Sequence, residues 1–320
     1  MALTSRLFAH LETMRPYTLF WCGLVSLSGA VLASQTLPSA AVLIFGVPIL
    51  GWIAGLYLAD YSDRKLDSIQ KSHRPIPSGR ITPREALMVG GVFAFLGLVL
   101  TFFLGYTNVV LTFIAAGLVY VYARYSKPRG LWGNLTRGLL TFMTFLFGVA
   151  AVQPLTTLSL PLLGFAVVFF FHDTNSNIIG AMRDVRGDKA AGYQTTPVRY
   201  GMQKSLLLSL ALSLMYLGLV LILVVSFHLI TFLFPYFVAL AVGIILLTVM
   251  YMLLFAARTD LSQTRMLYAH ELFVAERILF AAAIIIGVLG LTWFSVLLFF
   301  TCLVLTLLSQ HLLRRRYELT

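Results

Sequence analysis

The sequence predicts an all-α polytopic membrane bundle of nine or ten transmembrane helices arranged as two related halves. Three observations carry this. First, 59% of the 320 residues are hydrophobic and only 11% are charged, against roughly 25% charged in soluble domains; mean hydropathy is +0.91. Second, apolar runs of roughly 20 residues, the length that crosses a bilayer, follow one another along the chain. Third, the charged residues gather in alternate loops. The net charge of +11 is therefore an orientation signal and not a nucleic-acid footprint, because the basic residues lie in short loops between spans. Residues 1–320 are expected to form a single domain.

Taken in order, apolar runs near 16–34, 38–60, 84–104, 108–124, 133–151, 158–182, 204–226 and 231–256 each read as one helix. The region 272–313 is too long for one span. Gly287, Gly290 and the Thr292–Trp293 pair divide it into about 275–290 and 293–313. The first residues lack the form of a cleavable signal: no short apolar segment ends in a small-residue site before Arg15–Pro16. Cys22 and Cys302 lie in apolar runs and read as small buried hydrophobes.

Placing Arg6 and Arg15 in the cytoplasm puts every other Lys and Arg on the same side. They lie in or beside loops 60–84, 124–137, 183–204 and 258–277, and in Arg314–Arg316. The opposite loops, near 35–38, 105–108, 152–158, 227–231 and 291–293, carry no charge. An odd helix count would strand Arg314–Arg316 outside, so ten helices with both ends inside is the preferred reading. The segment RRRYELT is expected to anchor to anionic headgroups. The acids share the basic side. Asp and Glu contribute little to topology, so their clustering points to chemistry at the cytoplasmic face of the cell (inner) membrane.

The stretch Asp60–Arg80, DYSDRKLDSIQKSHRPIPSGR, places Asp60, Asp63 and Asp67 at offsets 0, 3 and 7. On a helix these share one face. Three acids on one face repel unless a cation lies between them, and a hard ion with oxygen ligands, Mg²⁺ or Ca²⁺, fits. Mg²⁺ takes one or two protein carboxylates and completes its shell with waters and phosphate oxygens. Lys71, Arg74 and Arg80 suit those phosphate oxygens.

A second acidic stretch ends the sixth run. Asp184 and Asp188 are one turn apart, Asp173 lies eleven residues earlier, and Asn175 and Asn177 add neutral oxygens. Arg183, Arg186, Lys189 and Arg199 surround them. Both stretches follow one plan: apolar helix, Asp motif, basic loop, then Pro and a new helix. They lie four helices apart, which reads as an internal duplication. Two facing carboxylate clusters can hold two Mg²⁺ with a diphosphate between them. Either cluster alone has an ordinary alternative, a solvated helix end whose acids pair with nearby Arg and Lys. Acids near membrane spans point by default to function, and two matched clusters on one face strengthen that. Asp260, Glu271 and Glu276 lack such spacing and read as loop charges. His73, His172, His228, His270 and His311 show no ligand spacing, and His172 reads as a hydrogen-bonded core histidine.

DxxDxxxD followed by HRPIPSGRI, then DxxxD within RDVRGDKAAGYQTTPVRYG, resembles the UbiA superfamily of intramembrane prenyltransferases. The segment YSKPRGLWGN, 125–134, resembles the family's stretch after helix 4. The resemblance runs from about Arg15 into the last third of the chain. It implies transfer of an isoprenoid from an allylic diphosphate to an acceptor, with Asp60, Asp63 and Asp67 on one Mg²⁺ and Asp184 and Asp188 on another. Lys127, Arg74 and Lys189 would contact the diphosphate, with Arg80, Asn134, Asp173 and Asn177 as further substrate-binding candidates. Family frequency makes an aromatic ring the expected acceptor; a quinolone, a naphthoate or a glycerol phosphate also fits. The sequence departs from the family pattern at Ala59, commonly Asn, and at Ala181, often Asp. Asp173, Asn175 or Asn177 could substitute from further up the helix. Tyr57, Tyr61, Phe142, Phe145 and Phe169 offer π-faces to an allylic cation, although core packing is the simpler role for any one of them.

Three rivals differ in class. A cyclase on the same scaffold shares the ionisation step and differs in its product. A CDP-alcohol phosphotransferase needs DGxxAR followed by GxxxDxxxD, a pattern the chain lacks. A transporter of anions places charges near the midplane on broken helices, whereas these gather at helix ends.

Overall fold

The computed structural model describes residues 3–257 and 262–318. Among them every regular element is helical. In chain order these are α1 (Leu3–Met14), α2 (Phe20–Ser34), α3 (Ala41–Gln70), α4 (Pro83–Thr101), α5 (Tyr106–Val121), α6 (Leu131–Ala150), α7 (Leu160–Ala190), α8 (Thr196–Tyr200), α9 (Met202–Phe227), α10 (Leu233–Ala256), α11 (Gln263–Leu289), α12 (Trp293–Ser309) and α13 (Arg315–Glu318). Eight are long and apolar enough to cross a membrane alone, and α1 with α2, bent by 41°, makes a ninth. The remaining long helix, α6, falls short on composition because it carries Asn134 and Arg137. Each expected run thus has its helix, and the multi-pass architecture holds.

The helix starts follow local chemistry. Thr82 caps α4: its hydroxyl accepts from the Glu85 backbone N–H, the Glu85 side chain reaches back, and Pro83 opens the helix. Ser262 caps α11 and Thr292 caps α12, each with its hydroxyl accepting from the backbone N–H three residues on. Gly290, with φ of 72°, ends α11 in a conformation that glycine adopts freely. α2 and α6 pack so closely that a Cβ on Gly148 would strike the Ser26 carbonyl, and one on Gly29 would strike the Phe145 carbonyl. Such small-residue contacts are how membrane helices approach each other. The core contains Trp21, Phe145, Phe169, Tyr216 and Phe280, joined by α2, α6, α7, α9 and α11. A smaller cluster around Tyr57 joins α3 to α1 and α4.

Three helices differ in their bounds from expectation, for physical reasons. α3 and α7 do not stop at the membrane edge but run on for 30 and 31 residues, about 45 Å at 1.5 Å per residue. That exceeds a hydrocarbon core of about 30 Å, so both aspartate motifs ride on helical extensions past the apolar zone. The ninth expected helix, 275–290, is really Gln263–Leu289. The stretch read as a charged loop is helical, and Glu276 and Arg277 are buried inside it. Glu276 is therefore not a loop charge: its carboxylate accepts from His172 Nε2 at 2.9 Å, deep in the core. His172 stacks between Trp21 and Phe280 and is the core histidine that was expected. Asp260 lies outside the described residues, as do the Arg315 and Arg316 side chains. Cys22 and Cys302 are free and buried.

Candidate active site at the ends of α3 and α7

The charged end of the bundle brings the two aspartate motifs to one place. On α3, Asp60 accepts from Tyr317 Oη at 2.8 Å and pairs with Arg15. Asp63 pairs with Lys127 Nζ at 2.8 Å. Asp67 takes both oxygens to Arg74 Nη1, at 3.0 and 3.1 Å. On α7, Asp184 pairs with Arg183 at 2.6 Å, and Asp188 accepts from the Thr195 hydroxyl at 3.0 Å. Lys71, at the end of α3, reaches Asp184 at 3.6 Å and so ties the first motif to the second. Burial alone would lower the Lys127 ammonium, but Asp63, with Tyr122 and Tyr193, raises it above the ordinary lysine value, so it stays charged.

Not every expected residue belongs here. Arg80 faces α1, bound to Glu12 at 2.7 Å and to the His73 carbonyl at 2.7 Å, and braces the loop after α3. Lys189 is exposed at the end of α7. Asn134 donates to Asn177 at 2.8 Å and accepts from Thr196, joining α6, α7 and α8 beneath the site. Asn175 is held by Ser209, Ser213 and Tyr251 as glue between α7, α9 and α10. Asp173 is fully buried and committed to Thr141 at 2.8 Å, Arg277 at 2.6 Å and Arg137 at 3.4 Å. It cannot also replace the acid missing at Ala181. Of the aromatics, Phe145 and Phe169 are core, and Tyr57 gives its hydroxyl to a 2.8 Å hydrogen bond with His10 and stacks on Phe93.

The chemistry of the donor set suits a hard divalent ion and a polyphosphate. Asp60, Asp63, Asp67 and Asp184 each already face a basic side chain, and Asp188 sits within the field of Asp184, Lys127 and Lys71. Among the described residues no three acidic, His or Cys side chains converge on one point. Asp60, Asp63 and Asp67 are therefore not gathered as one ligand cluster, and a Mg²⁺ ion here would take one or two of these carboxylates and draw its other ligands from water and phosphate. The basic partners would then be free for phosphate oxygens, to which Arg and Lys bind with charge-assisted hydrogen bonds. A groove of about 760 Å³ between α10, α11 and α12 lies away from the aspartates, and its lining is mostly apolar, with Glu271, Gln310 and His311 among it.

Sequence reasoning missed residues from both ends of the chain. Arg15 carried only a topology signal, yet it pairs with Asp60. Tyr317 and Glu318 were read as a surface anchor, yet they are 1% and 6% exposed. Glu318 bonds Arg183 at 3.1 Å, Lys71 at 3.2 Å and Arg74 at 3.5 Å. Burial alone would raise its carboxyl, but Arg183, Lys71, Arg74 and Arg15 hold it well below the usual glutamate range. No local pattern announces this: the partners come from α7 and from the loop after α3.

Fold and site together define an integral membrane enzyme with paired acidic helix ends at one end of a helical bundle. The model of the UbiA prenyltransferase family matches residues 19–275, and the chain belongs to that family. It is 34% identical to a digeranylgeranylglyceryl phosphate synthase of Pyrococcus horikoshii over 200 residues, 62% of this chain and 70% of that one. A solved structure concerning digeranylgeranylglyceryl phosphate synthase in membranes superposes with a TM-score of 0.64 at 24% identity, covering 89% of this chain and 99% of that one. A UbiA homologue from Archaeoglobus fulgidus bound to DMAPP and Mg²⁺ superposes with a TM-score of 0.54 at 20% identity, covering 86% of this chain and 97% of that one. At these identities the two structures speak to the fold.

Proposed function

We propose that this chain, acting as one domain, transfers an isoprenyl group from an allylic diphosphate to the free hydroxyl of a glyceryl phosphate lipid. The observation that carries the reading is the meeting of the two aspartate motifs, bridged by Lys71 between Asp184 and the first-motif helix, with Lys127 on Asp63. The acceptor follows from the relatives' names: digeranylgeranylglyceryl phosphate carries two geranylgeranyl groups, so the last one is added to geranylgeranylglyceryl phosphate. This replaces the aromatic ring expected from the sequence.

Mg²⁺ is the cofactor we assign, supported by the oxygen donor set and by the homologue that binds DMAPP and Mg²⁺; when bound it neutralises the diphosphate. Asp60, Asp63 and Asp67 would supply the protein ligands of one ion, and Asp184 and Asp188 those of a second. Lys127, Lys71 and Arg74 bind and orient the diphosphate oxygens, and their fixed charges stabilise the developing negative charge. The C–O bond breaks with its electron pair on the diphosphate. The allylic carbon is captured by a lone pair of the acceptor hydroxyl, whose proton passes to the released diphosphate. The distribution of basic residues supports a site facing the cytoplasm of the cell membrane, where both phosphate groups stay in contact with water.

The test is a product assay. Protein in lipid nanodiscs is given geranylgeranyl diphosphate, with and without Mg²⁺, together with geranylgeranylglyceryl phosphate or a panel of aromatic acceptors. Mg²⁺-dependent digeranylgeranylglyceryl phosphate, read by mass spectrometry, is the expected result. A prenylated aromatic as the sole product would overturn the acceptor assignment. A cyclised hydrocarbon formed without acceptor would overturn the transfer reaction.

A further inference from the structure

The segment after α12 lies inside the site, and it is an anion in a basic pocket. The Glu318 carboxylate is shared by Arg183, Lys71 and Arg74. The Tyr317 ring lies between the guanidinium groups of Arg15 and Arg74, 4.4 and 4.3 Å from its centroid. The pocket nevertheless holds more donors than this carboxylate can use. Arg15 Nε, Arg74 Nε, the Tyr17 hydroxyl, and Arg314 Nε and Nη1 are all buried without an acceptor. Arg314 is the sharpest case. It is fully buried, lies 5.1 Å from the Tyr17 ring, and its side-chain partner is the His270 Nδ1, which must accept and is therefore neutral. Among the described residues no carboxylate stands within ion-pair distance of it: the like charge of Arg183 acts on it from α7, and the opposite charges of Glu318 and Glu271 act only from beyond contact.

Buried donors without acceptors are costly, and a buried cation with no counter-charge in contact more so. A carboxylate brings two oxygens and one charge. A phosphate brings at least three terminal oxygens and up to two charges, in a geometry that several Arg side chains match. We propose that this pocket, centred on Arg183, Arg314 and Tyr17, is a phosphate site of the lipid substrates, and that Glu318 is its resident placeholder. α13 leaves as the phosphate enters. The assignment rests on the prenyl-transfer reading above. Two substrates carry phosphate, the monoester of the acceptor and the diphosphate of the donor, and the experiment separates them.

The full chain in nanodiscs with Mg²⁺ is examined in two ways. Hydrogen–deuterium exchange of residues 310–318 is followed on adding geranylgeranylglyceryl phosphate or inorganic pyrophosphate. This readout needs no turnover, so it stands even if the chain makes no prenylated glyceryl phosphate, an outcome that would sink the functional reading separately. Steady-state kinetics then compare wild type with Glu318→Gln, which keeps the shape and removes the charge, and with Arg314→Gln. Exchange is expected to rise in α13 with one of the ligands. The KM of that substrate is expected to fall about fivefold in Glu318→Gln, because a competing state is depopulated, and to rise about tenfold in Arg314→Gln. A shift in the acceptor KM identifies the monoester, and a shift in the donor KM the diphosphate. Exchange that stays level or slows with both ligands overturns the proposal. So does a fall in kcat of Glu318→Gln with both KM values unchanged, since that would put the carboxylate in the chemistry.

Discussion

Replacing Asp173 with Asn is expected to unfold the bundle more readily without touching the chemistry. Asp173 is fully buried and is the counter-charge of two arginines, Arg277 at 2.6 Å and Arg137 at 3.4 Å. Removing one partner of a buried ion pair costs about 3–5 kcal/mol, because the remaining charge is left in a low dielectric. Here the cost falls unevenly. Arg137 keeps a supporting contact over Trp52 at 4.4 Å and some exposure, whereas Arg277 is left with Ser176 and the face of Trp21. The lower end, about 3 kcal/mol, is the working figure, roughly a hundredfold in the folding equilibrium. Removing both charges, in Asp173→Asn with Arg277→Met, is expected to recover most of the loss, since neutral replacement of a buried pair is often close to neutral. The assay is thermal unfolding of the four members of this cycle in nanodiscs, with turnover measured well below each transition. A single variant as stable as wild type but lacking turnover would refute the reasoning and return Asp173 to the substrate site.

The other predictions concern the site and its packing. Asp63→Ala and Asp184→Ala are each expected to lower turnover by at least about a hundredfold while the melting temperature stays close to wild type; full activity in either would remove that carboxylate from the metal site. Chelation with EDTA is expected to abolish turnover reversibly and leave thermal unfolding nearly unchanged, because Asp60, Asp63, Asp67 and Asp184 already have basic partners. A collapse in stability on chelation would contradict that charge balance. Lys127→Met is expected to raise the donor KM about tenfold, with Lys127→Arg recovering part of it; an unchanged donor KM would take Lys127 off the diphosphate. Gly148→Ala places a methyl against the Ser26 carbonyl, and overpacking of this kind costs about 1–3 kcal/mol; a variant with wild-type melting would show that α2 and α6 can part.

The sequence by itself determined the membrane bundle, because apolar runs and their lengths are properties of contiguous residues. It also determined the two aspartate faces, since offsets of 3, 4 and 7 are geometry within one helix. It placed the charges at one end through the loops that carry them. What it could not determine was which charge meets which. The stretch 263–277 carries Arg265, Glu271, Glu276 and Arg277, and those charges make it read as a loop. It is helical because α11 packs its charges onto His172 and Asp173 of α7. Arg80 looked like a phosphate ligand by position, and α1 supplies Glu12 to claim it. Tyr317 and Glu318 looked like a headgroup anchor, and only the return of α13 toward Arg15, Lys71 and Arg183 brings them into the site. Each of these outcomes depends on a partner tens to hundreds of residues away. A buried charge settles where packing offers it a counter-charge, and that choice belongs to the tertiary structure.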